Sequence, residues 1–452
     1  MSKILSQKTL KFPICLTVAY LLLTLVIYRL CPYDWPTNKP ALFFGLNLCY
    51  IAALCLGYFI GQRHRLGVSW IRWDEDRTEQ LIKWVSIGVI INCVMYTIYI
   101  FRDYGYSIPN FIELAKDLMD GIQNPGAGYR AHLQRLQTIN GADVLGGSVY
   151  TVINLLWSFV QYPIIILAML YFRRMKWYGK VGAVFYLVLV VLFYTSIGTN
   201  IQFFHVFLLI ALPVILSLFD HSFHKTLNKR ILIRSISLLL VGLLLVAFFF
   251  AWMMESRSAA AGYDIDEYEI EGLRPNISYS ENSSQQPSKL TNLWISFSSY
   301  LTQGYYGMSL ALDKCWTPMF GFGSSMFIID LISKNFFDID QYTYQVKLEP
   351  AWDSDVRWHS MYTWIANDVS FYGVVVVMFV FGLLFGMMFK DAVVNRNPLA
   401  KASMFFFILM LVFIPCNHQI AQSSITWFPF WLLCILWLIV KPKQDTDNAS
   451  RC

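Results

Sequence analysis

Charge is scarce in this chain. Only 14% of its 452 residues are Asp, Glu, Lys or Arg, against about 25% in a soluble globular domain. That leaves too little polar surface to keep a cytosolic enzyme in water, and it excludes a disordered chain. No fibrous repeat and no internal duplication runs through the sequence. Cys-x-x-Cys and Cys/His zinc spacings are missing. Cys15, Cys49, Cys55, Cys93 and Cys434 lie inside apolar runs, where a thiol behaves as a small hydrophobe. The first apolar run ends at Arg29-Leu30-Cys31-Pro32 without a small-residue cleavage site. It reads as a retained span rather than a signal peptide.

What is abundant is apolar. Hydrophobic residues make up 56% and aromatics 17%, and the mean hydropathy is +0.48. The chain therefore reads as an all-α polytopic membrane protein. A spanning helix needs about 20 apolar residues. Ten stretches qualify by hydropathy, at roughly 12–30, 41–61, 84–101, 148–172, 181–197, 201–219, 235–254, 370–389, 403–416 and 425–440. The last two are short, and a re-entrant hairpin there would leave eight full spans.

The net charge of +6 is not a nucleic-acid signature, because the basic residues sit in short blocks between apolar runs. Segments 1–11, 62–83, 173–180, 220–234, 390–402 and 441–452 hold 22 of the 35 Lys and Arg. The positive-inside rule puts them, and both termini, in the cytoplasm. The chain then divides into a membrane part at 1–254, a large outer loop at 255–369 between the seventh and eighth spans, and a second membrane part at 370–452. A smaller outer segment, 102–147, interrupts the first part.

Residues 102–147 are patterned. Phe111-Ile112, Leu114, Leu118-Met119 and Ile122 form one helical stripe, Asn124-Pro125-Gly126 breaks it, and a second helix carries Arg130, Leu133, Arg135 and Leu136. Two short amphipathic helices on the membrane surface satisfy this pattern. In the large loop, Ser258–Lys289 is acidic and then rich in Ser, Asn, Gln and Pro, as a mobile flap would be. From Leu290 the composition turns aromatic, with Trp294, Tyr300, Tyr305, Tyr306, Trp316, Trp352, Trp358 and Trp364 among Gly and Asp. Such aromatics serve either as an interfacial belt or as platforms for sugar rings.

Ionisable residues gather at the outer boundary. Asp353-Ser-Asp355-Val-Arg357-Trp358-His359-Ser360-Met361-Tyr362 is followed by Asn367-Asp368 at the mouth of the eighth span. Charges this close to hydrocarbon are costly and mark function. Arg357 offers a planar fork for phosphate oxygens. His359 can take a proton from an alcohol. An Arg–Asp pair capping the helix entrance is the plain structural alternative. Arg130, Arg135, Arg257 and His418 join the candidates because they lie on the same expected face. Three Asp-x-Asp pairs, at 264/266, 338/340 and 353/355, occur often enough by chance to argue against a metal site.

One stretch resembles a known family. His359-Ser-Met-Tyr362, then Asp368, then Gly373 is similar to a pattern of O-antigen ligases and O-antigen polymerases: a His, an aromatic three residues on, an acid nine on, and glycines eleven and fourteen on. Ser360 stands where that pattern has Asn, and Ser370 where it has its first Gly. Tyr300-Leu-Thr-Gln-Gly304-Tyr-Tyr-Gly307 and Gly321-Phe-Gly323 look like the oligosaccharide-repeat-unit polymerases. The Arg-x10-Gly spacings from Arg130 to Gly141 and Arg135 to Gly146 resemble one of the Wzy-type polymerases. Where many members have a small-polar-Arg motif before a middle span, this chain has Gly198-Thr199-Asn200, which leaves Arg257 as the candidate for that role.

The resemblance implies a metal-independent glycosyltransferase without a cofactor, in the inner membrane of a bacterium. It would polymerise undecaprenyl-pyrophosphate-linked oligosaccharide repeat units at the periplasmic face, with a chain-length regulator as a possible partner. His359 and Asp368 would be catalytic. Arg357, Arg257, Arg130 and Arg135 would bind pyrophosphate, and Tyr362, Trp358 and His418 the substrate. Rival readings are an O-antigen ligase acting on lipid A core, a transferase using lipid-phosphate sugars, and a polysaccharide transporter or flippase. The last would need mid-span charges and paired repeats, and His205 is the one mid-span candidate.

Overall fold

The computed structural model describes residues 2–63, 71–139, 143–223, 226–262, 269–270, 272–276, 289–354 and 356–442. In chain order the elements are α1 (Ser2–Leu30), α2 (Pro40–Arg63), β1 (Ile71–Trp73), α3 (Glu75–Asp103), α4 (Phe111–Gln123), α5 (Pro125–Thr138), α6 (Gly147–Leu170), α7 (Trp177–Ser196) and α8 (Ile201–Phe223). There follow α9 (Lys229–Ala261), α10 (Lys289–Ala311), α11 (Met326–Asn335), α12 (Tyr344–Leu348), α13 (Met361–Val394), α14 (Pro398–Phe413), α15 (Ser424–Ile439) and β2 (Val440–Pro442). Among the described residues the regular elements are helices, apart from a short parallel pairing of Ile71 with Val440, Arg72 with Lys441 and Trp73 with Pro442.

Eight of these helices are long and apolar enough to cross a membrane: α1 from Lys8, α2, α3, α6, α7, α8, α9 and α13. They coincide with the first eight apolar stretches of the sequence. α14 and α15 are the two shorter ones, at 16 residues each. The molecule has the make-up of a multi-pass membrane protein.

Two compact units divide the chain. The first takes residues 1–65, 264–390 and 406–427, and the second 66–263, 391–405 and 428–452. In the first unit α2 and α13 meet backbone to backbone. Gly57 and Gly61 of α2 face Phe379 and Leu383, while Gly382 and Gly386 of α13 face Leu54 and Tyr58. A β-carbon at any of the four would collide with a main-chain carbonyl. Small residues four apart are how helices approach closely where lipid removes the hydrophobic drive.

The second unit is built around α3, which packs on α6 and α7. Asn92 in α3 is wholly buried, and its amide donates to the Gln161 carbonyl at 3.0 Å while its oxygen accepts from Trp157 at 2.7 Å. α9 has 33 residues, about 50 Å at 1.5 Å per residue. That exceeds the ~30 Å hydrocarbon core of a bilayer. Its length is lined by exposed Leu, Val and Phe, and its final turns dock α5. α4 and α5 are the two short helices expected at 102–147. Asn110 caps the first and Asn124 the second. α4 keeps Leu114 buried and leaves Phe111, Ile112 and Met119 exposed.

Candidate functional site

In the first unit the site is built on α10. This helix is polar yet buried along one face. Several of its hydroxyls are satisfied by its own carbonyls: Ser298 donates to Trp294 at 2.6 Å, Thr302 to Ser298 at 2.7 Å and Ser309 to Tyr306 at 2.9 Å. Such back-bonding lets Ser and Thr line an interior without orphaned groups. Gly304 and Gly307, one turn apart, open a seat on this face. A β-carbon on Gly304 would lie 2.5 Å from the Pro415 and Cys416 carbonyl oxygens, and one on Gly307 2.9 Å from Trp352 Nε1 and 3.2 Å from His359 Nδ1.

Residues 358–360 occupy that seat in non-helical backbone, just before α13 begins at Met361. Trp352 Nε1 donates to the Trp358 carbonyl at 3.1 Å, the Ser360 amide to Gly304 at 3.1 Å, and the Met361 amide to Ile414 at 3.0 Å. Trp352 is wholly buried and is the edge of an aromatic box with Trp35 and Tyr306. His359 is thereby held at 1% exposure. Among the described residues neither of its ring nitrogens has a partner. Burial pushes its pKa down to about 3, so the imidazole is neutral. The Trp364 ring stands at 6.4 Å, edge to face, and its indole N–H is also unpartnered. Buried polar groups are nearly always paired. Three buried groups without partners among the described residues gather here, and they mark this as the candidate site.

Beside it α13 begins, and Asn367 and Asp368 organise the glycine turn. Asp368 Oδ1 accepts from the Gly321 amide at 2.7 Å and the Gly323 amide at 2.8 Å. Asn367 accepts from the Tyr344 amide at 2.9 Å and donates to Gly323 O at 2.8 Å and Gln345 Oε1 at 2.9 Å. Asp368 thus acts through the Gly321-Phe322-Gly323 turn with one of its oxygens. Ser370, two residues on, has φ 62° and ψ 166° within α13. That region is essentially glycine's own, and this is the position where the resembling pattern has glycine.

His418 lies in the turn between α14 and α15. It is 4% exposed, its Nδ1 has no partner among the described residues, and burial lowers its pKa to about 3. Asn417 Oδ1 accepts from its backbone amide at 2.8 Å. Tyr362 is wholly buried with its ring 4.5 Å from that of Tyr50, so it is part of the packed core at the start of α13. Trp358 is half-buried against Tyr300, at 5.0 Å. Arg357 is half-buried, and its amide donates to Asp353 O at 2.8 Å.

Arg130, Arg135 and Arg257 belong to the second unit. Arg257 Nε donates to the Gly198 carbonyl at 2.7 Å, a second guanidinium nitrogen reaches the same oxygen, and the fork lies 4.0 Å from the Tyr129 ring. Gly198 has φ +62°. The turn that lacks an arginine of its own therefore receives one from α9. In that turn the Thr199 hydroxyl and the Asn200 amide are buried without partners. Arg135 is matched by Asp103 at 3.4 Å, which also meets His132 at 3.1 Å, and it covers the Tyr104 ring at 4.4 Å. Arg130 is exposed. Gly146 caps α6 with φ +78°.

Gly141, Asp264, Asp266, Asp355 and most of the 258–289 flap lie outside the described residues. Asp338 is raised by its hydrogen bond to Asp340. His205 is buried, with Nδ1 2.6 Å from the Tyr162 hydroxyl. Sequence reasoning counted Trp352 among the loop aromatics and Gly307 in the resembling stretch but gave neither a part in seating His359, and it did not name Asp103. The i, i+3 glycine pair on α10 was the available signal for the first two. No family model, curated protein or solved structure matches the chain.

Proposed function

We propose that the chain is a glycosyltransferase that polymerises polyprenyl-pyrophosphate-linked oligosaccharide repeat units, of the Wzy type. In this reading it sits in a bacterial inner membrane with both termini in the cytoplasm and α10–α12 on the periplasmic side. α14 and α15 complete ten spans. The observation that carries the reading is His359: a neutral imidazole, closed off from solvent, with both nitrogens open. It lies where the sequence resembles the family's histidine pattern.

The chemistry follows from that state. An acceptor sugar hydroxyl attacks the anomeric carbon of the donor, and the bond to pyrophosphate breaks. The hydroxyl becomes acidic only as the new glycosidic bond forms. Burial keeps this imidazole unprotonated, the form that can accept the proton as the new bond forms. Arg357 is the anion ligand assigned within the first unit. In the second unit, Arg257 and Arg130 are the candidate anion ligands, whereas Asp103 already matches Arg135. Asp368 is a positioning residue, through the glycine turn. Leaving-group charge is assigned to arginine rather than to a metal, and a chain-length regulator is the expected protein partner.

The test is a chromosomal His359→Ala strain, with surface glycan resolved by gel. Protein at normal membrane level with single-repeat glycan in place of the ladder is the expected result. A general base contributes about 10²–10⁴-fold. A normal ladder would remove His359 from the chemistry, and loss of all glycan from the lipid core would indicate a ligase.

A further inference from the structure

Two open grooves in the first unit share a corner. One is about 440 Å³ and apolar, between Leu22, Leu25, Val26 and Leu30 of α1 and Phe44 and Leu48 of α2. On α1 the exposed members recur at 22, 26 and 30, one face of the helix. The other is about 530 Å³ and mostly polar, and Asp34, Asn276, Thr291 and Trp294 are among its walls. Arg29 and Leu30 line both. Each volume falls within the ~300–1,000 Å³ of ordinary ligand sites.

Arg29 is the charged point at the junction. It is exposed, and among the described residues no hydrogen bond or ion pair engages it. A cation at the meeting of an apolar and a polar groove complements an amphiphile with an anionic link between tail and head. The polar side narrows the choice. It is far larger than a phosphate, and Asp34 disfavours a second anion there. A carboxylate, an amide and an indole face are the groups that hold a neutral hydroxylated ring. We propose that these grooves bind a phosphoglycolipid: the isoprenoid or acyl tail on α1 and α2, the phosphate at Arg29, and the first sugar against Trp294. The choice of a glycosyl headgroup rests on the transferase reading above, whereas tail and phosphate follow from the grooves themselves.

The experiment measures binding without turnover. Full-length protein in phosphatidylcholine nanodiscs is irradiated with a polyprenyl phosphoryl monosaccharide that carries a diazirine in its tail. Adducts are expected on residues 22–30 and 44–48. Arg29→Gln should reduce labelling about tenfold, the scale of one charge-assisted contact. Val26→Trp and Leu48→Trp, which fill the apolar groove from two helices, should do the same. Unlabelled probe should compete, and phosphatidylglycerol at equal concentration should not. Adducts confined elsewhere, wild-type labelling in all three variants, or equal competition by phosphatidylglycerol would overturn the proposal. His359→Ala protein should label as wild type. Labelling in these grooves alongside normal ladders in the His359→Ala strain would therefore remove the catalytic reading and leave the binding site standing.

Discussion

His359 and His418 lose their capacity for protons when the first unit folds. Each falls from an ordinary value of 6.5 to about 3 because burial disfavours the charged ring. Between those two values the unfolded chain binds protons that the folded chain cannot. The stability they allow is therefore complete above about pH 6.5 and drains away as pH falls towards 3. His359→Gln removes one of these titrations and keeps a polar side chain. Thermal unfolding in detergent should lose less between pH 7 and pH 5 in His359→Gln than in the parent, and equal losses would contradict the burial. The sequence showed which histidines lie near the helix mouths. It did not show that the His359 ring is closed off and without a partner among the described residues, because that depends on Gly307 of α10, some 50 residues upstream.

At the scale of elements, the bend in α13 is the informative one. Ser370 takes a backbone conformation that costs a residue with a β-carbon about 1–3 kcal/mol. Ser370→Gly should relieve most of that, raise the melting temperature of purified protein by a few degrees and leave glycan ladders intact. Ser370→Val, branched at the β-carbon, should destabilise and shift the ladder towards short chains. A Gly variant less stable than the Val variant would mean that the bend is not formed in the membrane. The serine was legible as a departure from a glycine pattern, and its dihedral angles give that pattern a physical cause. α10 was less legible. Its Ser, Thr and Gln lower its hydropathy to that of a surface segment, and back-bonding to its own carbonyls leaves no trace in composition. The paired glycines of α2 and α13 were readable as small residues four apart, but only facing each other do they explain the contact.

For the whole molecule, hydropathy sufficed to find the long helices, because a run of about 20 apolar residues has few other uses. Orientation rests on the Lys and Arg count and has a direct test. Cys315 is exposed in the segment read as external. A membrane-impermeant maleimide should label it on intact cells with a permeable outer barrier, and Cys315→Ser should abolish that signal. Labelling only after the inner membrane is opened would invert the topology. What sequence order hid is the interleaving. The first unit is assembled from three stretches, and roughly 200 residues of the second, 66–263, lie between its first two. A ribosome adds about 5–20 residues per second, so the α1–α2 hairpin waits some 12–50 s before α10 is complete. The unit closes only after the turn at 414–423 has emerged. Until α13 emerges, the glycine face of α2 has no native cover. Biogenesis of this protein is thus a matter of keeping an early hairpin unoccupied by wrong helices, and an insertase or chaperone holding it is the factor whose depletion should first lower its yield.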